Sequence, residues 1–188
     1  FGTAPRPPED DEEEVPESEK VVLDIWNWQD PVIQPMQLVQ ATQRRRQTFL
    51  AYAATDDFRV VQLGTPEIPE VRVGMGQDAP LAVGTTDSYV KYGWYVSHDG
   101  TYRDVFLMDV ATGEAELVLE KLRGSASLST DGRYLTWWDE NELDYMAMDV
   151  ATREVRNLTE AVPFPVWNEE DDHPDDPGSY GCLLYTSP

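Results

Sequence analysis

Cysteine and histidine are nearly absent: Cys182 stands alone, and His98 and His173 are the two histidines among 188 residues. A single thiol builds no internal disulfide framework, and so few Cys and His side chains leave no zinc-type ligand spacing. Long hydrophobic runs are missing too, none approaching the roughly 18 residues that span a bilayer. There is no G-x-S-x-G elbow, no phosphate loop and no dinucleotide fingerprint. Bases are scarce, 14 against 36 acids, for a net charge of −22. A surface this acidic repels nucleic-acid phosphates and anionic lipid, so neither nucleic acid nor membrane is expected as a partner. No catalytic residue, cofactor or metal site is assigned on these grounds.

What the chain does have is an internal repeat. Met108-Asp109-Val110-Ala111-Thr112 recurs as Met148-Asp149-Val150-Ala151-Thr152, 40 residues later. Aromatic runs precede each copy (Tyr92-Gly93-Trp94-Tyr95-Val96 and Tyr134-Leu135-Thr136-Trp137-Trp138), and a short apolar run follows each. A unit of about 40–45 residues made of short strands is the signature of a β-propeller blade. Gly113 closes the first copy where a hairpin loop favours positive φ. Arg153 occupies that place in the second, which predicts a strained or altered turn. Asp99-Gly100 and Asp131-Gly132 are further turn signals. The first is placed between the second and third strands of its blade, the other between the first and second strands of the next.

The expected fold is therefore all-β, an incomplete propeller of about two full four-stranded blades plus partial blades, with one short helix near 35–47. Residues 1–20, rich in proline and acid with a net charge of −6, read as a disordered segment; a role in binding calcium or a basic partner is the sharper alternative. Residues 21–80 read as an irregular partial blade. Within it, Val21–Trp28 forms a strand, the helix follows Pro35, and Thr48–Ala54 pairs with Phe58–Leu63 around Asp56-Asp57. The blade at 81–122 takes Leu81–Val83, Val90–Val96, Asp104–Val110 and Ala115–Leu119 as its strands. The blade at 123–161 takes Ala126–Leu128, Arg133–Trp138, Asp144–Val150 and Val155–Leu158. Residues 162–181 form an inter-blade loop. A propeller needs about 4–8 blades to close, so the chain is expected to be a piece of something longer.

Several residues invite a functional reading. Trp94, Trp137 and Trp138 are most simply blade-to-blade packing, with carbohydrate stacking as the alternative. Arg44-Arg45-Arg46 is the one basic cluster, read as a solvated helix end. Glu169-Glu170-Asp171-Asp172, with Asp175 and Asp176, could hold a cation through carboxylate oxygens but lacks EF-hand spacing. His98 sits in a Ser-His-Asp-Gly turn, and Gly178-Ser179-Tyr180-Gly181 has the wrong spacing for a nucleophile elbow.

The run Leu23-Asp24-Ile25-Trp26-Asn27-Trp28-Gln29-Asp30-Pro31, with Gln34-Pro35-Met36-Gln37, resembles the propeller region of bacterial prolyl-oligopeptidase-like (S9 family) serine peptidases. Ser129-Thr130-Asp131-Gly132-Arg133-Tyr134, the second Met-Asp-Val-Ala-Thr, Asn157-Leu158-Thr159 and Pro177-Gly178-Ser179-Tyr180-Gly181 extend the resemblance over about residues 20–181. The blade motifs are shared with TolB-like and other WD40-like propellers. The resemblance implies a secreted or periplasmic parent in which the propeller covers a C-terminal α/β-hydrolase domain and admits short peptides. A Ser-Asp-His triad in that domain would perform the hydrolysis. No position here matches the triad motifs, and Glu169-Glu170 does not match the substrate-gripping glutamates of dipeptidyl-peptidase relatives. The implied partners are the hydrolase domain and remaining blades of the same parent, and a peptide substrate. The rival expectation is a non-enzymatic TolB-like propeller that binds proteins. Residues 182–188 resemble translated sequencing-adapter sequence and are expected to be a non-native tail.

Overall fold

The computed structural model describes residues 1–4, 23, 25–74, 80–86, 101–172 and 177–180. Within these the chain is antiparallel β-structure with one helix. Strands β1 (Gly2–Thr3), β2 (Phe49–Ala53) and β3 (Val60–Gln62) form a small sheet with β2 in the centre. Helix α1 (Gln34–Arg45) lies between β1 and β2 in the chain. Two four-stranded sheets follow. The first runs β4 (Glu70–Val73), β5 (Leu81–Thr85), β6 (Tyr102–Asp109) and β7 (Ala115–Arg123) in sequence order. The second runs β8 (Ala126–Leu128), β9 (Tyr134–Asp139), β10 (Asp144–Asp149) and β11 (Val155–Asn157), likewise in order. Consecutive up-and-down strands of this kind are the construction of a propeller blade.

The sheets stack face to face. Strand residues alternate between faces, so β6 sends Val105 and Leu107 one way and Phe106 and Met108 the other. Val105 and Leu107, with Val83 from β5 and Leu122 from β7, meet Leu135, Trp137 and Met148 of the second sheet in one buried cluster. Cross-strand register builds the opposing wall: Trp137 faces Met146 and Leu135 faces Met148. Phe106 and Met108 on the reverse face pack with Ala82 and Val110 against Val61 and Leu63 of the small sheet. Burial of each such side chain is worth roughly 1.5–3 kcal/mol. The 40-residue offset holds in three dimensions, since Met108 and Met148 both point back toward the preceding sheet.

The repeated pentapeptides form matching hairpin turns. Asp109 Oδ1 accepts the Thr112 N–H at 2.8 Å and Asp149 Oδ1 accepts the Thr152 N–H at 3.0 Å. The N–H of Gly113 donates to the Asp109 carbonyl and that of Arg153 to the Asp149 carbonyl, both at 2.8 Å. Gly113 has φ +79° and Arg153 φ +63°, so the second copy keeps the same turn at the expense of a strained arginine. Arg153 reaches back to Glu116 of the first sheet and to the Val150 carbonyl. Asp131-Gly132 turns between β8 and β9, as its spacing suggests. There Asp131 accepts the Ser129 hydroxyl at 2.6 Å and the Arg133 N–H at 3.1 Å.

Most strand expectations in the second sheet agree within a residue or two, and the helix, read over 35–47, runs Gln34–Arg45. Four readings change. Val21–Trp28 is not a strand among its described residues: Leu23 and Ile25–Trp28 are irregular, and Leu23, Ile25, Trp26 and Trp28 are exposed. Asn27 closes a local turn instead, its Oδ1 accepting the Gln29 N–H and its carbonyl the Asp30 N–H, a bond that competes with strand pairing. Second, β4 opens the first sheet. Its Glu-Val-Arg-Val sequence after Pro69 looks like loop, but a strand edge tolerates both charge and proline. Third, Leu81–Thr85 pairs directly with Tyr102–Asp109 and so is the second strand, not the first. Val90–Val96 and the Asp99-Gly100 turn lie outside the described residues. Fourth, Gly2–Thr3 pairs with Phe49–Leu50, anchored by the Thr3 hydroxyl on Gln62 at 2.6 Å. Backbone pairing of that kind needs no apolar side chain. Residues 5–20 lie outside the described set, as do 182–188.

Replacing Gly113 by Ala should destabilise the fold. A Cβ there stands 2.9 Å from Val61 Cγ1 and 3.0 Å from the Gln62 carbonyl, in a backbone conformation alanine disfavours. The loss should exceed about 1 kcal/mol. Arg153→Gly relieves about 1 kcal/mol of left-handed strain and removes an exposed ion pair worth about 0–1 kcal/mol, so its urea midpoint should equal or exceed that of the parent. Equal losses in both variants would show that the two turns are not equivalent.

Candidate functional site

One concave feature among the described residues is built where β10 begins and where the chain leaves β11. Residues 159–167 cross the end of the second sheet as a strap and leave a groove of about 410 Å³. Its walls are Glu142, Leu143 and Asp144 on one side and Thr159, Glu160 and Val162–Trp167 on the other. Val162, Pro163, Phe164, Pro165, Val166 and Trp167 contribute apolar side chains to the lining, and Glu142, Asp144 and Glu160 give the groove its negative charge. Leu143, at φ +55°, completes the tight β9–β10 turn.

Asp144 ties the strap to the sheet. Its Oδ2 accepts Asn157 Nδ2 at 2.8 Å and its Oδ1 accepts the Thr159 hydroxyl. Thr159 Oγ1 in turn accepts the Tyr145 N–H at 3.0 Å, and Asn157 Oδ1 accepts the N–H groups of Thr159 and Glu160. The Asn157 amide and then the Thr159 hydroxyl hold the Asp144 carboxyl below its ordinary range, more than burial raises it. The Thr112 and Thr152 turns lower Asp109 and Asp149 in the same manner, and Ser129 lowers Asp131. Asp144 has a counterpart at the 40-residue offset. Asp104 is fully buried at the start of β6, its Oδ1 accepting the Lys121 N–H at 3.0 Å across a β-bulge. Its own N–H donates to Thr86 Oγ1 at 2.9 Å. Sequence reasoning passed over both residues, although their recurrence five positions before each turn aspartate was a usable signal.

A ribbon continues from the strap. Trp167 bridges to Ser179, the Asn168 N–H donates to the Gly178 carbonyl, and the Tyr180 N–H donates to the Val166 carbonyl. Ser179 Oγ and Tyr145 Oη are 2.6 Å apart, and Tyr145 meets Trp138 edge-on with ring centroids 5.1 Å apart. The tryptophans thus divide. Trp137 is 6 % exposed in the inter-sheet core, whereas Trp138 lies on the outer face beside Tyr145. Trp94, His98 and His173 lie outside the described residues. Glu169 and Glu170 occupy an exposed turn, their N–H groups held by the Tyr180 hydroxyl and Asn168 Oδ1. Arg44, Arg45 and Arg46 are exposed at the end of α1. Among the described residues no three Asp, Glu, His or Cys side chains converge to hold a metal, and no described helix is long and apolar enough to cross a membrane.

A second hollow of about 470 Å³ lies between the two hairpin turns, lined by Leu81, Leu107, Ala115 and Val150 with Asp109, Glu114, Glu116 and Arg153. The Arg153–Glu116 ion pair stands in its wall, so it is a seam between sheets. The strap groove is open to solvent, and its lining mixes apolar side chains with the carboxylates of Glu142, Asp144 and Glu160.

No family model matches the chain, and no curated protein matches it in sequence. Among solved structures, the chain is similar to TolB from Acinetobacter baumannii, at 21% identity over 60% of this chain and 27% of that one, with a TM-score of 0.37. It is also similar to an oligogalacturonate lyase from Vibrio parahaemolyticus, at 22% identity over 58% of this chain and 28% of that one, with a TM-score of 0.35. The chain spans less than a third of the length of either protein. The architecture accordingly rests on the sheet topology itself.

Asp144→Ala should loosen the strap, costing about 1 kcal/mol for two charge-assisted hydrogen bonds at a partly exposed site. Tyr145 and Trp167 fluorescence or amide exchange over 159–167 should report the release while the inter-sheet core stays intact. The pH dependence has a defined sign. Carboxyls lowered in the folded state stabilise it above their unfolded value, near 4, and that contribution is lost as pH falls through the folded value. Acid titration followed by circular dichroism should therefore show stability falling below about pH 4. Replacing Asp109, Asp131, Asp144 and Asp149 by Asn should flatten that dependence.

Proposed function

We propose that the chain supplies two blades of a β-propeller that gates access of short peptides to the α/β-hydrolase domain of an S9-like serine peptidase. The observation that carries the propeller part is the stacking of two equivalent four-stranded meanders, with matched turns and matched Met108 and Met148. The peptidase part rests on the resemblance around Trp26-Asn27-Trp28-Gln29-Asp30-Pro31. In this reading the triad belongs to the hydrolase domain, and the residues described here contribute shape and charge to the passage. The chain by itself is expected to hydrolyse nothing.

The strap groove favours a second reading, a TolB-like propeller that binds proteins. Its mixed lining, in which Phe164 and Trp167 stand with the carboxylates of Glu142, Asp144 and Glu160, suits a peptide segment without any chemistry. In both readings the natural working unit holds further blades.

The two readings part at the codons following Gly181. The complete reading frame recovered from source DNA should encode more blades and then a hydrolase domain with a G-x-S-x-G elbow. A closed propeller with no hydrolase would overturn the peptidase reading and leave the binding scaffold.

A further inference from the structure

The first four-stranded sheet carries a small polar hollow on the face it turns toward the second. Glu70 and Arg72 lie two apart on β4 and pair with Thr85 and Val83 of β5, so all four share that face. Arg103 of β6 reaches the same place, its Nη1 donating to Glu70 Oε2 at 3.2 Å. The Thr85 hydroxyl donates to that oxygen at 3.4 Å. Ser125, in the link from β7 to β8, stands in the lining as well. The hollow measures about 10 Å³, room for one water-sized occupant. Arg72 and Ser125 are exposed, which leaves a way in.

Charge distinguishes this hollow from the other two. The strap groove is lined by acids without a base, and the seam between the hairpin turns by three acids and one arginine. Here two guanidinium groups stand with a single carboxylate, for a net charge of +1 in a chain of 14 bases and 36 acids. Neither guanidinium is fully used. The Arg72 side chain makes no hydrogen bond or ion pair with the described residues. Arg103 commits Nη1 to Glu70, but its Nε is buried and has no acceptor among the described residues. A charged donor left buried in this way forgoes a charge-assisted hydrogen bond. Water would accept that bond yet leave the excess positive charge in place, whereas an anion answers both needs. The size of the hollow selects a monatomic anion over an organic acid.

Placement gives such an ion a structural effect. Arg72 and Arg103 belong to the first sheet, and Ser125 leads directly into the second. An ion held there binds the stacked sheets and not the unfolded chain, so it stabilises the stack by mass action. The overall charge of −22 opposes capture from a distance, which sets the expected affinity in the millimolar range.

We propose that the hollow between Arg72 and Arg103, beside Ser125, is a chloride site that clamps the seam between the two sheets. The site is independent of what the blades serve.

Chloride-35 line broadening on the full chain tests it, with ionic strength held constant by sodium isethionate. The parent should show excess broadening that saturates with chloride, and its melting temperature should rise along the same curve. Glu70→Gln raises the local charge and keeps an acceptor for Arg103, so it should tighten chloride by roughly threefold or more. Arg72→Gln, at an exposed side chain, should weaken binding by roughly threefold or more. Arg103→Gln, folded by circular dichroism, should weaken it about tenfold. Arg44→Gln, at the exposed end of α1, should change nothing. Acetate should displace chloride only at far higher concentration. Broadening that never saturates, or that Arg72→Gln and Glu70→Gln both leave unchanged, overturns the proposal and assigns the hollow to water. Acetate competing as well as chloride also overturns it, because the hollow would then serve a carboxylate.

Discussion

A sheet whose two faces are both apolar must be covered on both sides, and everything else in this chain is arranged around that requirement. The middle sheet meets it along its two central strands. Val105 and Leu107 are covered by Leu135, Trp137 and Met148, and Met108 on the reverse is covered by Val61 and Leu63. Because strand side chains alternate, a one-residue slip in register would turn both sets over at once. The stack is consequently specific as well as stable, and the 40-residue repeat in sequence becomes a repeat of layers.

Once the layers are set by apolar packing, short polar side chains finish their ends. Aspartate does this at each level: Asp109 and Asp149 close hairpin turns, Asp131 closes another, and Asp104 and Asp144 open the third strand of each sheet. Each carboxylate accepts backbone or hydroxyl donors that would otherwise need water. The high acidic content is thus partly architectural. Arg153 shows the limit of the pattern, holding a glycine-like conformation while reaching across the seam to Glu116.

Much of this was legible in the residues. The repeated Met-Asp-Val-Ala-Thr marked the hairpins because aspartate and threonine close such a turn locally. Tyr134–Trp138 read as a strand because β-branched and aromatic residues fill a pleated surface. Glu70–Val73 did not, because an edge strand draws its pairing from a neighbour rather than from its own apolar content. Trp26 and Trp28 misled in the opposite direction: they carry strand-type side chains, yet the Asn27 turn bends the backbone away. The strap groove was illegible altogether. It depends on Asp144 meeting Asn157 and Thr159, a contact that the hairpin between them creates.

By itself, then, the sequence determined the repeat length, the turns at Asp109, Asp131 and Asp149, the helix position and the apolar character of the central strands, since these depend on neighbours within a few residues. Tertiary structure alone decided which strands are adjacent, which tryptophan enters the core, where the strap leaves a groove, and that α1 turns Leu38 and Val39 to solvent. Those outcomes depend on contacts between residues distant in the chain, whose free energy comes from surfaces that meet only after folding.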